Sequence, residues 1–174
     1  MAYPEHLILF FKKHNLYNKE MFDYLSKNTT IIDYEYEEQR IFIGCFYTFD
    51  KNGILKSIHL VLPYQYDEIT TLICIHELIH GIELYKKLNK KAKITNDCEV
   101  LPILYEKIYV EEIKTKKIYE YQQYLDNLIS KDSEKYYIAL SIRDELYKEY
   151  NYDMKKIKKK SIKLIKKHKK QTQL

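Results

Sequence analysis

The residues with types and spacing suited to chemistry are His76, Glu77 and His80, inside the run Thr70-Thr71-Leu72-Ile73-Cys74-Ile75-His76-Glu77-Leu78-Ile79-His80-Gly81. The pattern is H-E-x-x-H. On a helix, two residues four apart lie one turn above each other on the same face, so both imidazoles can grip one metal ion. Glu77 sits one residue round from the first histidine, off the ligand plane but within reach of a metal-bound water. Ligands, an activated water and a base beside it are what a zinc hydrolase needs. The bland reading is two surface histidines on an ordinary amphipathic helix. Against it stand the helical run around the motif, a strand-like segment before it and an acidic helical segment after it.

A catalytic zinc takes three protein ligands and a water, whereas a structural zinc takes four protein ligands. The third ligand must come from elsewhere in the chain. Position 86 is Lys86, so the H-E-x-x-H-x-x-G-x-x-H pattern is not met, and the only later histidine, His168, lies in a basic tail. A carboxylate is the better candidate, from Asp97, Glu99, Glu106, Glu111 and Glu112. Glu99 has Cys98, Val100 and Leu101 as neighbours, and an acid in that setting is expected to face inward. Glu106 lies seven residues on, two turns along the same face, with Ile103 between. Glu106 could accept a hydrogen bond from a ligand imidazole or brace the outer shell of the site. Its alternative is a surface acid in an i,i+4 charge pattern. Cys98 is a competing ligand, His59 reads as a strand residue, and Cys74, two before His76, points away from the ligand face.

The elements that must position these residues follow from pattern. Residues 5–14 and 18–28 read as short helices, the second capped by Asn18. Ile31 to Tyr36 reads as a first strand. Arg40 to Phe49 and Ile54 to Leu62 read as a hairpin around Asp50-Lys51-Asn52-Gly53, closed by Pro63. The second hairpin run is expected to offer an edge along which an extended peptide could lie. Asp67 is the expected N-cap of the metal helix, which runs to about Leu88. Gly81 lets a neighbouring segment approach the metal side of that helix closely. Asn89 to Asn96 is a polar loop, and Asn96 or Asp97 caps a helix to roughly Ile113 with Pro102 in or just past its first turn. Residues 117–130 and 133–150 read as further helices, the latter capped by Asp132 or Ser133.

The chain has 174 residues, enough for a real core, and its three glycines and three prolines favour helices over a turn-rich β fold. Nineteen tyrosines and no tryptophan make any single tyrosine a weak catalytic candidate. Three cysteines in no zinc-knuckle spacing, a start without a basic n-region and the short apolar run Leu7 to Phe11 lead to a cytoplasmic expectation. Net charge is +5, but residues 155–174 hold ten lysines and no acid, which leaves −5 for the other 154 residues. Residues 1–152 are expected to form a single domain, followed by a lysine-rich helical tail over 153–174. Through Lys155 to Lys170 that tail could contact an anionic membrane or nucleic acid, or simply be solvated.

Glu99-Val100-Leu101-Pro102-Ile103-Leu104-Tyr105-Glu106, with Asp97 before it, resembles the second signature of the thimet oligopeptidase and oligoendopeptidase F family. That family pairs an H-E-x-x-H helix with a later helix carrying a glutamate ligand and another glutamate seven residues on. The resemblance covers about residues 59–112 and implies a minimal gluzincin: zinc held by His76, His80 and Glu99, with Glu77 as base. Pro102 stands three residues past Glu99, where the family has two, and the chain has no room for the family's large helical dome. Tyr136-Tyr137-Ile138-Ala139 is similar to the Tyr-x-x-Gly element that supplies an oxyanion-stabilising tyrosine in related peptidases, with Ala139 in place of the glycine. The strand and H-E-x-x-H layout is also similar to the small anti-repressor peptidases of mobile elements.

The expectation is therefore an α+β, zincin-like fold. A small N-terminal antiparallel sheet is followed by the metal-binding helix and a mainly helical C-terminal half. The expected activity is zinc-dependent hydrolysis of a peptide or protein substrate, with one Zn2+ per chain. The rival is a regulatory or binding protein that works through the basic tail and keeps a structural or vestigial metal site.

Overall fold

A computed structural model describes residues 3–32, 43–64, 67–91, 99–129, 134–150 and 153–172. The chain divides into two compact units, Met1–Asp97 and Cys98–Leu174. Together they are α+β and mostly helical.

The first unit begins with α1 (Glu5–Lys13) and α2 (Lys19–Lys27). Asn18 caps α2 as its type predicts, its side chain accepting from the Met21 amide at 2.9 Å. The two helices close over an aromatic cluster. Phe11 meets Phe10 at 5.5 Å and Phe22 at 5.3 Å, both edge-on, which is the geometry that opposes ring edges to ring faces.

Three strands follow: β1 (Thr29–Ile32), β2 (Gly44–Phe49) and β3 (Leu55–Pro63). The β2–β3 hairpin turns where the sequence says it should. The Asp50 side chain accepts from the amides of Asn52 and Ile54, and Gly53 takes a φ of 76°, which suits a residue without a Cβ. Two expectations fail. The sheet is mixed, because β1 runs parallel to β3 with Thr29 opposite Leu60. The order is β1-β3-β2, so Ile54 to Leu62 lies in the central strand and cannot be the free edge. Among the described residues the edges are β1 and β2. β1 includes Ile31 and Ile32 of the run read as a first strand; Asp33 to Tyr36 of that run, and Arg40 to Phe42 of the next, lie outside the described residues.

Alternation explains which face of β3 is covered. From Ile58 on, Ile58, Leu60 and Leu62 are buried, while His59 between them is exposed and Val61 partly covered. The 22-residue helix α3 (Glu68–Asn89) packs on β3 and, less extensively, on β2. Asp67 caps it through a reciprocal box: its Oδ1 accepts from the Ile69 and Thr70 amides at 3.0 Å each, and Thr70 Oγ1 accepts from the Asp67 amide at 3.2 Å.

The second unit holds α4 (Val100–Ile113), α5 (Lys116–Ile129), α6 (Glu134–Lys148) and α7 (Met154–Thr172). Pro102 occupies the third position of α4, in the first turn where its missing amide costs nothing. The residue flanking the helix start is Glu99, whose side chain makes no capping bond. Asn96, Asp97, Asp132 and Ser133, read from sequence as caps, lie outside the described residues, as do all of residues 92–98. α4 packs on α6, and α6 on α7. No helix among the described residues is long and apolar enough to cross a membrane.

Candidate metal centre

Helix α3 has two unlike faces. Leu72, Ile75, Leu78, Ile79 and Ile82 are fully buried. Ile73, His76, Glu77, His80 and Glu83 are only partly covered and recur every three or four residues, so they share the other side. The H-E-x-x-H residues therefore stand on the open face of a helix anchored through its apolar face. The His76 and His80 rings lie with centroids 5.0 Å apart and planes at 64°. That is near enough for nitrogens from both rings to address one ion.

His76, His80 and Glu99 each offer one ligand atom, and these atoms all lie within 4.8 Å of one another. The group could hold a metal ion. Its donor set is two imidazole nitrogens and one carboxylate oxygen, which leaves a fourth position open in a tetrahedral ion. A zinc at about 2.0–2.2 Å from each donor would draw them to roughly 3.4 Å apart, a change within the reach of side-chain rotation. Glu99 is 3% exposed, so its expected inward orientation is met.

The other candidates are placed as follows. Glu106 is 6% exposed, which rules out the solvated-acid reading. Its charge helps hold the Arg143 guanidinium protonated. Glu111 is tied to Lys107 at 2.7 Å and accepts from Tyr119 at 3.2 Å; mainly through Lys107, its carboxyl is held below the usual range. Tyr136 is half-buried on α6 and Tyr137 is exposed beside it. Cys74 turns away from the ligand face, its thiol directed at the Pro63 carbonyl at 3.6 Å. His59 meets Thr30 Oγ1 at 3.1 Å across the sheet, a strand residue as read. Asp97 and Cys98 lie outside the described residues.

Gly81 does allow a close approach, but on the sheet side. A Cβ there would meet Leu25 Cδ2 at 3.2 Å and Leu60 Cδ1 at 3.4 Å, both core leucines. The expectation of a cleared metal side is corrected: the bare position lets α2 and β3 press against α3.

Arg143 is the residue that sequence reading passed over. Its Nη1 and Nη2 reach Asp126 Oδ1 and Oδ2 at 2.8 Å each, a fork on a fork. Burial opposes its charge, and Asp126, Asp144 and Glu106 together outweigh that, so its pKa is raised. The available signal was composition: Arg40 and Arg143 are the only arginines in a lysine-rich chain, and arginine is the cation suited to a half-buried, bidentate pair.

No protein-family model, curated protein or solved structure matches this chain.

Proposed function

We propose that the chain is a zinc-dependent metallopeptidase of minimal gluzincin type. The observation that carries this reading is the grouping of His76, His80 and Glu99 with Glu77 on the same open helix face. Zinc bound there would supply a water of near-neutral pKa and a Lewis acid for the scissile carbonyl. His76 and His80 would hold the ion through imidazole nitrogens, and Glu99 would complete the donor set with a carboxylate oxygen. Glu77 accepts the proton of the attacking water and passes it to the leaving amine. Tyr136 or Tyr137, on the helix against which α4 packs, is the candidate donor to the oxyanion. An extended peptide substrate would pair with a strand edge of the first unit, and β2 is the edge that contacts α3. Its exposed Phe46 and Phe49 would meet the substrate's side chains.

The test is metal content and hydrolysis together. Purified protein is expected to hold one zinc, lost in Glu99→Ala and kept in Glu77→Gln, with cleavage of a denatured protein substrate abolished in both. A protein that takes up no metal when zinc is supplied would overturn the reading.

A further inference from the structure

We propose that the outer face of α7 is a sequence-independent binding surface for duplex nucleic acid, read through its phosphates. This function is separate from the metal centre and goes beyond it.

The starting point is how α7 divides its residues. Ile157, Ser161 and Leu164 are buried, at i, i+4 and i+7, on the side by which the helix packs on α6. The opposite side carries Lys155, Lys159, Lys163 and Lys167 at successive i+4 positions, with Lys166 beside them, all exposed. One apolar side chain, Ile162, is exposed along this stretch.

The acids of the unit do not neutralise this row. Lys160, on the flank toward α6, takes up Glu149 at 2.8 Å and Glu145 at 3.4 Å. Lys156 pairs with Asp153 at 3.7 Å. Among the described residues, the amines of Lys155, Lys159, Lys163, Lys166 and Lys167 have no ion pair. A row of like charges at i,i+4 weakens its own helix. Here the row is held in place by the buried stripe behind it, so the charges are pre-arranged and not free to spread.

Geometry favours a regular polyanion. From Lys155 to Lys167 the helix rises about 18 Å. One strand of B-form DNA places a phosphate about every 3.4 Å of axis, so about five phosphates face five lysines. A lipid surface fits less well. Interfacial helices work by sinking an apolar face among the acyl chains, and the apolar face of α7 is already committed to α6. The row offers only ammonium groups, compact point charges without the planar fork or amide that pairs bidentately with a base edge, so it is expected to meet phosphates and ignore sequence.

The experiment is titration of the full chain against a labelled duplex of about 24 base pairs from 50 to 200 mM salt, with a second duplex of scrambled sequence. Four to five phosphate contacts predict a slope of log K against log salt near −4, hence a loss of about 150–500-fold over that range. The two duplexes should agree. Lys159→Gln with Lys163→Gln should flatten the slope by about 1.8. Lys27→Gln with Lys51→Gln, an equal change of net charge at exposed positions of the first unit, should leave it unchanged. Melting curves of neither double variant should fall below the parent's, since all four side chains are solvated and the α7 pair only relieves like-charge repulsion. Equal effects of the two pairs, a slope shallower than about −2, or capture by phosphatidylserine vesicles without duplex binding would each overturn the proposal.

Discussion

His76 and His80 stack one turn apart on α3 with ring centroids 5.0 Å from each other, both only partly covered. A metal that binds this pair binds only the folded chain, because the unfolded chain does not hold the two rings together. At a free zinc concentration 100 times Kd the stabilisation is about 2.7 kcal/mol. For a chain of this size that corresponds to a rise in Tm of about 5–10 °C. Differential scanning calorimetry with zinc and then a chelator should show the rise and its reversal. His80→Ala should remove both.

Glu99 and Glu106 are both buried, yet only Glu99 joins the donor group. Glu99→Ala should lower zinc occupancy below detection in metal analysis. Glu106→Ala should keep the zinc and instead reduce stability, because its charge belongs to the surroundings of Arg143. The reverse result would move the third ligand down the helix.

Glu77 lies between the two histidines without being one of the donor group. Glu77→Gln preserves shape and removes basicity. Metal content should be unchanged, while kcat falls by about 10²–10⁴-fold with little change in KM, the signature of a lost general base.

What could be read from sequence, and what could not, divides by range. Asn18, Asp67 and the Asp50–Gly53 turn act on amides two to four residues away, so their chemistry is local and the sequence displays it. The metal helix was legible for the same reason, since both histidines belong to one turn. Strand order was not legible. Leu60 and Leu62 alternate with exposed or partly covered residues whether β3 is central or at an edge, and nothing near them encodes that β1 joins in parallel. Gly81 was visibly a gap, but which side it cleared depends on Leu25, 56 positions away. Asp126 and Arg143 are 17 residues apart on different helices, beyond any motif's reach.

Gly81 offers a direct check of that correction. Gly81→Ala adds helix propensity of about 1 kcal/mol but presses a Cβ to 3.2 Å from Leu25, so the two effects should nearly cancel. Gly81→Leu adds volume that the buried Leu25 and Leu60 cannot yield, and should cost about 1–3 kcal/mol in urea unfolding. If the bare position instead cleared the metal side, Gly81→Leu would lower zinc affinity and leave apo stability intact.

Arg143 and Asp126 should prove unequal in their worth to the second unit. Both are largely covered, with side chains 12% and 25% exposed, and they share two charge-assisted hydrogen bonds. Asp126→Asn removes one carboxylate but leaves the guanidinium in the field of Glu106 and Asp144, so a loss of about 2 kcal/mol is expected. Arg143→Met removes the cation that all three acids address. Glu106 is buried and would lose a compensating charge along with Asp126, so the cost should be larger, about 3–4 kcal/mol. Arg143→Lys should recover only part of it, because an ammonium cannot reproduce the fork. Replacing both partners, as Arg143→Met with Asp126→Leu, should cost less than the sum of the single changes, since the second substitution removes an acid that the first had stranded. A double variant no better than additive would mean that Asp126 and Arg143 act independently, and that Glu106 alone sets the need for the arginine.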